Sequence, residues 1–175
     1  PVPVPLEDTP TRPFTGILID ARGALPVHGE YTQETLNPAL FPKIWDTGMD
    51  LVYERNMVDP DTAVSRGIVH YTSTTDENQY RDRIGTDPLR ITAREVFGRG
   101  RTDPVISRND YLKIASIPEN RTLLQQGKVV ILCDPQTLEN SRLGPVKDKN
   151  YYFVWNEIER KLAVTPVQQM DFSDS

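Results

Sequence analysis

The chain has 175 residues, a net charge of −5 and 37% hydrophobic residues, which suits a single folded domain with polar loops or tails. Its acidic balance argues against a general nucleic-acid binder, because such proteins need an excess of Lys and Arg to displace phosphate counterions. No run of residues approaches the ~18 apolar positions that span a bilayer. Cys133 is the only cysteine, so an internal disulfide framework is excluded, and a buried core thiol is favoured over a reactive one.

The first 13 residues, PVPVPLEDTPTRP, are rich in proline and predict an extended leader that tethers or spaces the domain. The sequence begins with neither a methionine nor an export signal, so we expect a processed or truncated form of a longer protein. The folded domain is predicted over residues 14–167, and residues 168–175 are expected to fray.

The segment FTGILIDA, residues 14–21, has apolar residues at both alternating positions, which predicts a central strand covered on both faces. Asp20 and Arg22 lie at its end and are two residues apart, so their side chains project to the same side of an extended chain. We favour a strand-end ion pair, in which Asp20 also accepts backbone N–H groups of the turn at Gly23. Ligand binding by the pair is the alternative.

Residues 25–38 lack periodicity and are bounded by prolines, so they predict a long loop, which contains His28. Residues 43–54 predict a hairpin that turns at Asp46, Thr47 and Gly48. Capping signals predict three to four short helices, in residues 59–67, 76–84, 106–115 and 118–126. The expected N-caps of the first three are Asp59, Thr75 and Ser107.

Further strands are predicted at residues 68–74, 89–97 and 128–133. In the second of these, LRITAREVF, the apolar alternation breaks at Glu95. A β-bulge that resets the register explains this break, and a buried working carboxylate is the alternative.

The C-terminal part of the chain is predicted to hold a surface linker at residues 134–150 and a hairpin at residues 151–167. Tyr151 and Trp155 of this hairpin are interface candidates, because Tyr and Trp anchor protein interfaces, although an internal aromatic face is favoured. Strands and helices alternate irregularly, so we predict one α+β domain with a mixed sheet, three to four short helices and a C-terminal hairpin.

The sequence contains no local catalytic or metal-binding motif. His28, His70 and one cysteine cannot make a zinc pattern, and Walker A, dinucleotide, G-x-S-x-G and H-E-x-x-H motifs are absent. A Ser–His–acid triad needs no local signature, so either histidine could act as its base, although a structural imidazole is favoured. Carboxylates near strand ends could also converge for acid–base chemistry: Asp20, Asp46, Glu54 and Glu95. No catalytic residue, metal ligand or cofactor is assigned.

Several short phrases resemble a group of bacterial envelope proteins related to LPP20-type and flagellum-associated outer-membrane lipoproteins. The resemblance covers about residues 14–134 and includes none of the known catalytic signatures. It implies an exported, periplasmic or outer-membrane-tethered protein without known enzymatic chemistry. The chain departs from the pattern by an insertion, residues 24–37, after the DARG phrase. The phrases are FTGILIDARG, NPALFPKIWD, LVYERNMV, RGIVHYT, DPLRITAREVFG, TDPVISRNDYLKI and GKVVILCD.

Together these observations favour a non-enzymatic, extracytoplasmic structural or interaction module that binds other envelope proteins or copies of itself. The alternative is a small-ligand-binding or hydrolytic domain that uses strand-end carboxylates near Asp20 and Arg22, with Glu95 or His28 as further candidates. A phosphate-binding or nucleic-acid surface around Arg90 and Arg94 is a third, less favoured hypothesis.

Overall fold

A computed structural model describes residues 9–139 of the chain. Within this range the protein is an α+β domain, as the sequence predicts. The hairpin predicted at residues 151–167, the interface candidates Tyr151 and Trp155, and the tail at 168–175 lie outside the described residues.

The described residues form ten strands, five α-helices and two short 3-10 helices. The strands are β1 (Ile17–Asp20), β2 (Ala24–Pro26), β3 (Gln33–Thr35), β4 (Ile44–Asp46), β5 (Leu51–Tyr53), β6 (His70–Thr72), β7 (Leu89–Thr92), β8 (Glu95–Phe97), β9 (Asp103–Ile106) and β10 (Val129–Leu132). The helices are α1 (Pro60–Arg66), α2 (Arg81–Ile84), α3 (Arg108–Ala115), α4 (Pro118–Gln125) and α5 (Pro135–Glu139), with 3-10 helices at Arg55–Met57 and Glu77–Tyr80.

A four-stranded parallel sheet in the order β6-β10-β1-β7 forms the centre of the domain. Strands β1 and β10 are its inner strands, and Ile19 lies between Ile131 and Ile91 in the register. All four residues of β10 are buried. The apolar composition of both strands predicts this position, because an inner strand of a covered parallel sheet is apolar on both faces.

A second sheet, in the order β5-β4-β9-β8, contains parallel and antiparallel pairs. Strands β4 and β5 form the predicted hairpin. The buried carboxylate of Asp46 accepts hydrogen bonds from the N–H groups of Gly48 and Asp50, each at 2.9 Å, and from Arg108 Nη1 at 2.8 Å. Asp46 therefore accepts hydrogen bonds from the backbone of the turn, and the positive charge of Arg108 neutralises its carboxylate.

The break in periodicity at Glu95 is a change of sheet, so the predicted β-bulge is wrong. Strand β7 pairs with β1, and the N–H of Ala93 still donates to the carbonyl of Asp20. The N–H of Arg94 donates to Val105, and β8 continues beside β9. The apolar phase changes because the two halves of the segment face different layers of the domain.

Two segments predicted as loops contain regular structure. Residues 24–35 form an antiparallel hairpin of β2 and β3, and α5 begins the segment predicted as a linker. All three residues of β3 are exposed. An exposed strand of three residues produces no hydrophobic alternation, which is why the sequence pattern does not reveal it.

The predicted caps of α1 and α3 are confirmed. Asp59 accepts a hydrogen bond from the N–H of Thr62, and Ser107 accepts one from the N–H of Asp110. The helix predicted at 76–84 is instead a 3-10 helix followed by α2, and its cap is Asp76 rather than Thr75.

One face of the parallel sheet carries a small core beneath α2, separate from the main core. This small core contains Leu18, Tyr80, Ile84, Val130 and Leu132. Gly16 permits the contact between α2 and β1, because a Cβ at Gly16 would lie 2.4 Å from the Cβ of Ile84.

The end of the proline-rich leader is attached to the helices α3 and α4. Thr11 Oγ1 donates a hydrogen bond to the carbonyl of Lys113 at 2.7 Å. The buried side chain of Asn120 donates to the carbonyl of Arg12 and accepts from the N–H of Phe14. The described end of the leader thus packs on the domain.

Candidate functional site

Asp20 and Arg22 form a bidentate ion pair at the carboxyl end of β1. Arg22 Nε donates to Asp20 Oδ1 at 2.9 Å, and Nη2 donates to Oδ2 at 2.7 Å. The hydrogen bonds from Arg22 lower the pKa of Asp20, although partial burial opposes the shift. The carboxylate is a third exposed and the guanidinium somewhat more, so the pair remains accessible to solvent.

The turn after β1 does not use Asp20 in the way the sequence suggests. Asp20 Oδ1 accepts the N–H of Arg22 at 3.2 Å, whereas the N–H of Gly23 donates to Asp134 Oδ2 at 2.9 Å. Asp134 follows β10, so the turn is fixed by a residue 111 positions away.

Asp20 lines a cavity of about 230 Å³ at the carboxyl end of the parallel sheet. A second bidentate ion pair also lines it, with Arg90 Nε and Nη2 donating to Glu77 at 2.8 and 2.6 Å. The hydrogen bonds from Arg90 lower the pKa of Glu77. The carboxyl edge of parallel strands is where open α/β sheets commonly bind ligands.

The cavity, which we call the strand-end cavity, has an apolar floor and a polar rim. Leu18 and Leu132 of the small core belong to its lining, together with Tyr80. The hydroxyl of Tyr80 donates to the carbonyl of Thr74 at 3.2 Å. Burial, with a smaller contribution from the nearby Glu77, raises the pKa of Tyr80, so this phenol stays neutral at physiological pH.

His28 and Glu95, the other two predicted site residues, also contact each other. His28 Nδ1 lies 2.9 Å from Glu95 Oε1, and both side chains are about three-quarters buried. The imidazole packs edge-on against Phe97, with ring centroids 5.9 Å apart. Among residues 9–139, no hydrogen bond or ion pair joins His28 and Glu95 to Asp20 and Arg22.

The contact between His28 and Glu95 helps to attach the β2–β3 hairpin to the rest of the domain. The backbone N–H of His28 donates to Val96, and Val27 forms a parallel bridge with the same residue. Glu95 is thus not placed by a β-bulge, and it is not paired with another carboxylate. Its partner is His28 of the hairpin.

Arg101 is a functional candidate that the sequence did not single out. Its guanidinium donates to Glu34 at 2.6 Å and to Glu30 at 3.1 Å, on the two sides of the hairpin tip. Its backbone has a φ of 55°, rare for a residue other than glycine, and its carbonyl accepts the N–H of Asn37 at 2.8 Å. The partners are separated by about 70 positions, so no local pattern could have linked them.

Tyr31 lies at the tip of this hairpin and is fully exposed to solvent. We call the segment from Ala24 to Thr35, with Tyr31 at its tip, the arm. The tip of the arm therefore presents an exposed aromatic side chain on a hairpin that several polar contacts hold in place.

Two other polar side chains are buried for structural reasons. Arg83 donates to three backbone carbonyls, and burial lowers its pKa to about 10. Cys133 is buried in the core, which raises the pKa of its thiol to about 12, in agreement with the prediction of an unreactive thiol. His70 lies in β6.

The described range holds neither a metal-binding cluster nor a membrane-spanning helix. Residues 9–139 contain no group of three His, Cys, Asp or Glu side chains arranged to hold a metal ion. In the same range, every helix is too short or too polar to cross a bilayer.

Comparison with known proteins identifies the family. The family model of the second domain of Treponema pallidum Tp0624 matches residues 16–135. The chain belongs to this family. The match begins just before β1 and ends at the start of α5, so it includes the parallel sheet, the arm and the strand-end cavity. A search of curated proteins gave no match.

Proposed function

We propose that the chain is a non-enzymatic interaction module of the bacterial envelope, periplasmic or outer-membrane-tethered, that binds another envelope protein or a second copy of itself through the arm. The observation that carries this proposal is the full exposure of Tyr31 at the tip of a hairpin whose base is fixed by polar contacts.

The construction of the arm supports binding rather than catalysis. Two sets of polar contacts hold the hairpin against β8 and the turn after it: His28 contacts Glu95, and Arg101 contacts Glu30 and Glu34. A hairpin that is already ordered loses little conformational entropy when a partner binds, and a tyrosine brings a large contact area with few rotatable bonds. The arm therefore has the stiffness and the exposed aromatic anchor of a recognition element.

The family supports the idea of a module. The matching family is named for the second domain of a larger protein, so domains of this kind occur beside at least one other domain. The proposed location depends on the resemblance of the DARG and VVILCD phrases to envelope proteins.

A photo-crosslinking experiment tests the arm directly. Benzoylphenylalanine replaces Tyr31 in the full-length protein, expressed in its own host, and a matched variant carries it at Val64, which is 55% exposed on α1. We expect an adduct of defined mass from position 31 and none from position 64. Cell fractionation of the same strain tests the envelope location, which predicts recovery outside the cytoplasm.

Light scattering distinguishes self-association from a different partner. If the partner is a second copy, the mass of the purified chain rises with concentration, and Tyr31→Ala returns it to a monomer. A chain that stays monomeric and gives equal or no crosslinking at positions 31 and 64 contradicts the proposal.

A further inference from the structure

The strand-end cavity exists because the parallel sheet is only partly covered on one face. Leu18, Arg90 and Val130 occupy equivalent register positions on β1, β7 and β10, so their side chains lie on the same face. Tyr80 and Ile84 pack into the small core with Leu18 and Val130. Arg90 and Thr92 of the edge strand β7 are exposed on this face.

The polar groups of the cavity are balanced in charge. Asp20 is paired with Arg22 and Glu77 with Arg90, so the two ion pairs together carry no net charge. A ligand with a net charge would have to compete with a bidentate partner that is already in place. The pairs therefore disfavour phosphate and simple carboxylates as ligands.

The same ion pairs keep free hydrogen-bonding capacity. Arg90 uses Nε and Nη2 toward Glu77, and among the described residues its Nη1 has no partner. A guanidinium has five N–H donors and a carboxylate about four lone pairs, so each pair offers both donors and acceptors to a ligand. Adjacent hydroxyl groups, which donate and accept at the same time, match such a surface.

The apolar floor and the volume of the cavity restrict the class of ligand further. Leu18 and Leu132 in its lining provide apolar surface, which suits the C–H face of a sugar ring. A volume of about 230 Å³ is smaller than the ~300–1,000 Å³ typical of sites for drug-sized molecules, so it holds about one ring.

From this combination we infer that the strand-end cavity binds a single pyranose unit of a neutral saccharide. Arg90 and Glu77 hydrogen-bond to adjacent hydroxyls, Asp20 accepts from another hydroxyl, and the apolar floor contacts the ring. This inference is independent of the arm and of the partner proposed for it.

Saturation-transfer NMR on the full chain tests the inference, with methyl glucoside, N-acetylglucosamine, glycine and methyl phosphate as separate probes. We expect saturation of the sugar ring protons with millimolar affinity. Arg90→Lys keeps the positive charge but loses the forked donors, so sugar binding should weaken about tenfold. Arg94→Lys is the matched control, since Arg94 is exposed outside the cavity lining, and should change the affinity less than twofold.

The outcomes separate the possible ligands. Binding of methyl phosphate or glycine that depends on Arg90, without sugar binding, would replace the saccharide inference by an ionic site. Absence of binding by all four probes, or equal sugar binding by the wild type and Arg90→Lys, would overturn it. Thermal unfolding of both variants shows whether each is folded. Tyr31→Ala should leave sugar binding unchanged, so failure of the arm proposal would not affect this result.

Discussion

Replacement of the buried Arg83 by methionine should destabilise the domain by about 3 kcal/mol. Arg83 is 7% exposed, and its guanidinium donates to the carbonyls of Gly127, Arg66 and Gly67 at 2.7, 2.8 and 2.9 Å. These bonds connect α2, which contains Arg83, to the end of α1 and to Gly127, two residues before β10. Methionine fills similar space but leaves three carbonyls without this donor. At a net ~1 kcal/mol for each hydrogen bond, the loss is about 3 kcal/mol.

Urea denaturation followed by circular dichroism measures this loss. A change of about 3 kcal/mol should lower the melting temperature by about 9 °C in a protein of this size. Arg121→Met is the control, because Arg121 is exposed and donates to one carbonyl, that of Ala115; it should cost less than about 1 kcal/mol. A loss below about 1 kcal/mol in Arg83→Met, with an unchanged denaturant slope, would refute the assigned role.

Two further predictions concern protonation and thiol reactivity. The pKa values of Asp20 and Glu77 are lowered in the folded state, so their contribution to stability is complete above the unfolded value of ~4 and is lost as the pH falls through the folded values. The melting temperature of the wild type should therefore decrease below about pH 4, and the melting temperature of Asp20→Asn should decrease less steeply over the same range. Because both groups are partly exposed, each contributes at most about 1 kcal/mol to the stability. Equal slopes would contradict this account. Cys133 should react with a thiol reagent only as fast as the domain unfolds, and rapid labelling of the native protein at pH 8 would show that the thiol is accessible.

The sequence determines those elements whose signals lie within a few residues. The apolar runs of β1 and β10 identify the inner strands, and Asp59 and Ser107 identify the starts of α1 and α3. The hairpin of β4 and β5 follows from turn residues between two apolar segments. The contact of Asp20 with Arg22 is also local, because residues two apart in an extended chain share a side.

Only the tertiary structure decides which distant residues meet. His28 and Glu95 are 67 positions apart, and Arg101 is 67 and 71 positions from its two glutamates; neither hydrophobic periodicity nor turn signals describe such pairings. The change of sheet after Ala93 leaves the same break in alternation as a bulge would. Arg83 resembles a surface residue in sequence, and its burial depends on three carbonyls supplied by two other segments.

The candidate sites also combine features that the local sequence predicts with features that only the tertiary structure produces. The sequence marks Asp20 at a strand end, but the strand-end cavity forms only when β7 brings Arg90 beside β1 and Glu77 pairs with that arginine. The exposure of Tyr31 likewise depends on where the arm lies in the folded domain. Local residue chemistry is encoded over short spans of the chain, whereas a cavity or an exposed surface is produced by the packing of segments that are far apart in sequence.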